Sequence, residues 1–160
     1  MMRHVTGGLH LSGSGARPTD LPLGATGKLE GVPLGIPVLI VEDEAMIAWM
    51  IESLLEDMGF TSISVASNGE DAIAKAASLR PGLVISDINL GQGGLDGIDA
   101  AKAILGLTAA SVVFVTGYAG LGERERIARD VPEAHVLPKP ITADILRRTV
   151  VLAFHERSMH

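Results

Sequence analysis

Short unbroken apolar runs and longer stretches of helical spacing take turns from residue 37 onward. Pro37–Val41 is apolar throughout and predicts a buried strand. Ile47, Ile51, Leu54, Leu55 and Met58 then recur at helical spacing over Ala45–Met58, and Gly59 follows as a stop. Ser62–Ala66 predicts a second strand. Ser67 and Glu70 have capping-box spacing and open a helix through Leu79, which ends before Pro81. Leu83–Asp87 is a third strand, followed by a loop containing Gly91, Gly93, Gly94 and Gly97 and a helix over Ile98–Leu105. Ser111–Thr116 is a fourth strand, Leu121–Arg129 a weakly patterned, charged helix, and His135–Leu137 a fifth strand. Thr142 caps a last helix to His155 with Ile145, Thr149, Leu152 and Ala153 facing inward.

Five strand–helix repeats predict an α/β fold: a parallel sheet with helices on both faces, joined by right-handed crossovers. Residues 1–35 lack any such period. They hold eight Gly and three Pro and read as a flexible N-terminal tail, leaving 36–157 as the domain. The apolar share of 47% suits one globular core, and an aromatic share of only 3% means that aliphatic side chains must build it. With no cysteine, disulfides and thiolate metal sites are excluded and a reducing compartment is expected. The net charge of -6 leaves no electrostatic footprint for nucleic acid. Neither a membrane span nor a signal peptide is evident, so the cytoplasm is the expected location.

In a parallel sheet of this kind, chemistry collects at the carboxyl ends of the strands. Those ends carry Glu42 and Asp43, Asp87, Thr116 and Lys139. Three neighbouring carboxylates repel one another, and a divalent cation removes the conflict; all-oxygen ligands suit Mg²⁺. The Thr116 hydroxyl and the Lys139 ammonium are fit partners for an incoming anion. A carboxylate between a metal and a lysine is a layout for phosphoryl transfer, where positioning and electrostatics supply most of the catalysis.

At these residues the chain resembles the receiver domains of two-component systems. Glu42-Asp43-Glu44 after a strand, Asp87 closing Leu83-Val84-Ile85-Ser86, Thr116 after an apolar strand, and Lys139-Pro140 stand in the family's order, and the match spans roughly 36–157. The resemblance implies a flavodoxin-like (βα)5 doubly wound sheet of order 2-1-3-4-5. It implies that Asp87 accepts a phosphoryl group from a histidine kinase or histidine phosphotransfer protein. Asp43 and Asp87 would bind Mg²⁺ directly, Glu42 through water and Asn89 through its backbone carbonyl. Thr116 and Lys139 would hold phosphoryl oxygens, and a cis bond would precede Pro140. Phe114-Val115-Thr116-Gly117-Tyr118 is similar to the Phe-Ala-Thr-Gly-Tyr motif of a subgroup of single-domain receivers. As in the family, the face of the fourth helix, fifth strand and last helix would meet a downstream protein partner; homodimerisation is left open.

Two departures stand out. The glycine-rich loop after Asp87 is longer than the family's usual one and is expected to be mobile. Val136 occupies the place of the usual aromatic switch, so Tyr118, the only tyrosine, is expected to report the phosphorylated state instead. Pro138 suits an edge strand or a strand's last residue. Taken alone, Glu42-Asp43-Glu44 is an ordinary acidic helix start, and a strand-terminal Asp or a turn Thr usually makes local hydrogen bonds; only the conjunction carries the inference. Trp49, Met46 and Met50 read as helix packing or partial exposure. Gly91–Asp96 misses the last glycine of a dinucleotide fingerprint, and His155 and His160 miss zinc spacing. The expected role is a signalling switch without turnover and without an output domain of its own. Against an aspartyl-phosphate hydrolase, Asn89 stands where such enzymes place an acid/base Asp; against a pseudo-receiver that binds without phosphorylation stand the full acidic set, Thr116 and Lys139.

Overall fold

The computed structural model describes Leu29, residues 31–91 and residues 93–159. Five strands and five helices alternate: β1 Pro37–Val41, α1 Ala45–Met58, β2 Ser62–Ala66, α2 Gly69–Leu79, β3 Leu83–Asp87, α3 Gly97–Leu105, β4 Ser111–Thr116, α4 Leu121–Asp130, β5 His135–Pro138 and α5 Ala143–Ser158. All strand pairs are parallel, in the order β2-β1-β3-β4-β5. That is the predicted flavodoxin-like order.

Burial explains why the strands were legible. β3 and β4 lie in the sheet interior and are buried at every residue, which demands the continuous apolar runs seen in the sequence. β2 and β5 are the edges and are only partly buried. Alternate side chains then feed two cores. Val38, Ile40, Leu83, Ile85, Val113 and Val115 pack with α1 and α5, while Leu39, Val41, Val84, Val112 and Phe114 pack with α2, α3 and α4. Pro138 closes edge strand β5, as expected, and Lys139 supplies the next ladder donor to the Thr116 carbonyl at 2.8 Å.

Three local readings differ from expectation. The cap of α2 is Asn68, which accepts from the Asp71 amide at 2.7 Å, and not Ser67. Glu70 is thereby freed from a capping box, and its carboxylate accepts from the Leu95 amide at 3.2 Å. On α5 the Thr142 cap holds, but Ile145 is largely outward; Leu146 and Val150 face the core beside Thr149, Leu152 and Ala153. Finally, the packed unit begins before residue 36. Leu29 and Val32 are buried against the α1-side core, and Leu34 and Ile36 pack beside them. Residues 1–28 of the predicted tail lie outside the described residues.

Candidate functional site at the strand tips

Parallel register brings the sequence-predicted residues together. Val41 pairs with Ser86, Asp87 with Val115 and Thr116 with Pro138, so the chain leaves β1, β3, β4 and β5 at one level. Glu42 follows β1 directly, its amide donating to the Ala66 carbonyl at 3.0 Å, and the residue is only 2% exposed. Asp87 is the last residue of β3 and is 7% exposed. One oxygen of Asp87 accepts from the Asn89 amide at 3.2 Å, and the other from the Lys139 ammonium at 3.0 Å. Lys139 also lies 3.7 Å from Glu42 Oε2. Its partner Pro140 follows the cis bond that the resemblance implied.

Carboxylate oxygens of Glu42, Asp43 and Asp87 lie within 4.8 Å of one another. Three acids and one ammonium leave an excess of negative charge in a confined place. Burial, with the Asp87 charge adding to it, pushes the Glu42 carboxyl from 4.5 up to about 7. Burial works against the Lys139 ammonium, but the hydrogen bond to Asp87 and the charges of Asp87 and Glu42 outweigh it, and its pKa is raised. Glu42 Oε2 is buried without a hydrogen-bond partner among the described residues. An orphaned carboxylate oxygen is costly in a folded interior and asks for a cation. The donor set is all oxygen and suits a hard divalent ion.

A close backbone contact completes the site, and sequence reasoning missed it. Gly97 opens α3 against the Asp87 carbonyl, where a Cβ would stand 1.8 Å from that oxygen. The Ser86 hydroxyl donates to the same carbonyl at 2.8 Å. The available signal was a glycine directly before the predicted helix over Ile98–Leu105, and the structure makes that glycine the first residue of α3. The Gly-rich loop does use left-handed angles at Gly91, Gly93 and Gly94, as its composition suggested.

Thr116 is at the tip of β4 and buried, yet its hydroxyl donates to the Tyr118 carbonyl at 3.0 Å rather than to Asp87. Tyr118 is 80% exposed and Val136 39% exposed. Between them opens a groove of about 370 Å³, lined by Thr116, Tyr118, Ala119, Arg124, Val136 and Pro138. His135 Nε2 lies 3.1 Å from a Glu156 carboxylate oxygen, away from the strand-tip cluster.

Comparison with known proteins agrees with this geometry. Residues 38–151 match the family model of the response regulator receiver domain. The chain is 40% identical over 82 residues to the phyllosphere-induced regulator PhyR of Methylorubrum extorquens, covering 51% of this chain and 30% of that protein. It is 33% identical over 130 residues to the transcriptional regulatory protein PdtaR of Mycobacterium tuberculosis, covering 80% of this chain and 62% of that protein. It thus spans less than two thirds of either relative. Among solved structures, the signal receiver domain of a modulated diguanylate cyclase from Desulfovibrio desulfuricans superposes with a TM-score of 0.70 at 34% identity, covering 78% of this chain and 98% of that one. No helix among the described residues is long and apolar enough to cross a membrane.

Proposed function

The chain belongs to the response-regulator receiver family, and from that premise we propose that Asp87 accepts a phosphoryl group from a phosphohistidine donor and that the resulting change is read by a protein partner. The supporting observation is the meeting of Asp87 with Asp43, Glu42 and Lys139 at one end of the sheet. An Asp87 oxygen attacks phosphorus, the P–N bond of the donor breaks, and the donor imidazole leaves with its electron pair. Lys139 already neutralises one Asp87 oxygen and is placed to follow charge onto the phosphoryl group.

Asp43 and Asp87 would hold Mg²⁺ directly, with Glu42 acting through water and the Asn89 carbonyl as a further ligand; the ion would supply charge neutralisation for the incoming phosphoryl oxygens. In this reading Thr116 turns its hydroxyl from the Tyr118 carbonyl toward the phosphoryl group. The freed Tyr118 then repositions over the groove beside Val136, whose side chain cannot act as an aromatic switch. The protein carries out its own phosphorylation and dephosphorylation and turns over no separate substrate. Its partners are a histidine kinase or histidine phosphotransfer protein upstream and a protein that docks on the α4–β5–α5 face downstream.

Intact-mass measurement after incubation with Mg²⁺ and acetyl phosphate tests the reading. A gain of about 80 Da, one phosphoryl group, is expected in the native protein and not in Asp87→Asn. Catalytic turnover of a small phosphate ester, with no adduct on Asp87, would count instead for a hydrolase.

A further inference from the structure

α4 is seated in an unusual way. Ile127 is its one buried side chain, and polar contacts to α3 do much of the holding. Arg126 grips Asp96 with both guanidinium nitrogens, at 2.5 and 3.2 Å, and reaches Asp99 at 3.0 Å. Asp130 adds an ion pair to Lys102 at 3.6 Å.

Asp96 is no ordinary surface acid. Its side chain caps α3 by accepting from the Asp99 amide at 2.9 Å. The next residue, Gly97, donates its amide to the Ile88 carbonyl at 2.8 Å and presses on the Asp87 carbonyl. Asp87, Gly97, Asp96 and Arg126 therefore form a continuous chain of contacts from the phosphoacceptor to α4. The contacts at its two ends differ in kind. Gly97 against Asp87 is backbone against backbone with no slack, whereas Arg126 against Asp96 is a charge-assisted, bidentate pair with a defined direction. Burial disfavours the charged form of Asp96, but its bonds to Arg126 and to the Asp99 amide prevail and hold its pKa below the usual value.

We propose that Arg126 is a positioning residue that couples the state of Asp87 to the seating of α4 through Asp96 and Gly97. This rests on Asp87 being the phosphoacceptor and adds a connection that does not pass through Thr116, Tyr118 or Val136. Any displacement of the β3–α3 loop on loading Asp87 shifts the start of α3 and the cap it carries. The paired guanidinium transmits that shift to a helix with little apolar anchorage. Linkage makes the effect reciprocal: if loading Asp87 reseats α4, loosening Arg126 must change how tightly Asp87 is loaded.

The experiment is hydrogen exchange with Mg²⁺ and beryllofluoride on the full chain, comparing native protein, Arg126→Ala, Arg126→Lys, Lys102→Ala and Asp87→Asn. In native protein, beryllofluoride is expected to alter exchange at residues 83–97 and at 121–130. Arg126→Ala should lose the change at 121–130 and shift the apparent beryllofluoride affinity about fivefold, at the low end of ordinary coupling. Arg126→Lys, which keeps one ion pair, should fall between. Lys102→Ala removes a neighbouring α3–α4 pair without touching Asp96 and should behave as native. The proposal is overturned if Arg126→Ala keeps both the α4 response and the affinity, or if Lys102→Ala loses them equally. It is likewise overturned if native protein responds at 83–97 alone. Should Arg126→Ala fail to fold by its melting curve, a native response in Arg126→Lys and in Asp96→Asn together would overturn it. A native protein that responds no more than Asp87→Asn would sink the receiver reading itself, a distinct result from losing the coupling alone.

Discussion

The two ends of the sheet's central tips are built on different terms. At the β1–β3 end, Glu42 and Asp87 are buried, every residue of β3 is packed, and Gly97 leaves no room for one extra carbon. At the β4–α4–β5 end, Tyr118, Leu121 and Val136 are exposed, a groove opens beside Thr116, and α4 contributes one side chain to the core. In the proposed mechanism the receiving end must hold charges in fixed positions, and dense packing provides that rigidity. In the same proposal the other end must move for a signal to leave, and regions that move have little burial to lose.

A pair of glycine substitutions is the harshest way to break this contrast. Gly97→Ala places a methyl group on the Asp87 carbonyl and is expected to cost about 4 kcal/mol or prevent folding. Gly117→Ala meets nothing within 4 Å and is expected to stay within about 0.5 kcal/mol. Equal melting temperatures for the two variants would remove the claimed difference in packing.

Acidity gives the next effect. Folding raises the Glu42 carboxyl from 4.5 to about 7, so the folded state holds its proton more tightly than the unfolded chain. The stabilisation is therefore complete below pH 4.5 and is lost as pH rises through 7, by roughly 3 kcal/mol. Denaturant unfolding from pH 4.5 to 8 should show this slope, and Glu42→Gln should remove it. Mg²⁺ favours the ionised carboxylate and should stabilise the native protein more at pH 8 than at pH 5. A pH-independent gain from Mg²⁺ would argue against Glu42 as part of the cation site.

The smallest change in stability comes from Tyr118→Ala. With the ring so exposed, unfolding free energy should move by less than about 0.5 kcal/mol. Phosphorylation-dependent partner binding, measured with and without beryllofluoride, should nevertheless fall. If it persists at the native level, Tyr118 is not the reporter and the loose end acts through other groups.

Tight and loose regions also differed in how plainly the sequence announced them. The sheet was legible because interior parallel strands need unbroken apolar runs, and the site was legible because residues that end such strands become neighbours. Ser67 was misread as the α2 cap because Ser and Asn both cap helices and Ser67-x-x-Glu70 fits a familiar spacing. Ile145 was misplaced because Ile145 and Leu146 adjoin, and one residue is a 100° turn of the helix. Leu29 and Val32 carried no period among Gly and Pro, so their burial left no trace in pattern. The Arg126–Asp96 pair joins residues thirty positions apart, and no local spacing announces such a contact.

Borohydride trapping identifies the phosphorylated side chain itself. The native protein would be loaded with Mg²⁺ and acetyl phosphate, reduced, digested and mapped by peptide mass. An acyl phosphate on Asp87 is converted to homoserine at position 87, and that product is expected there and at no other acid. Reduction at Glu42, Asp43 or a surface carboxylate, with position 87 unchanged, would contradict it.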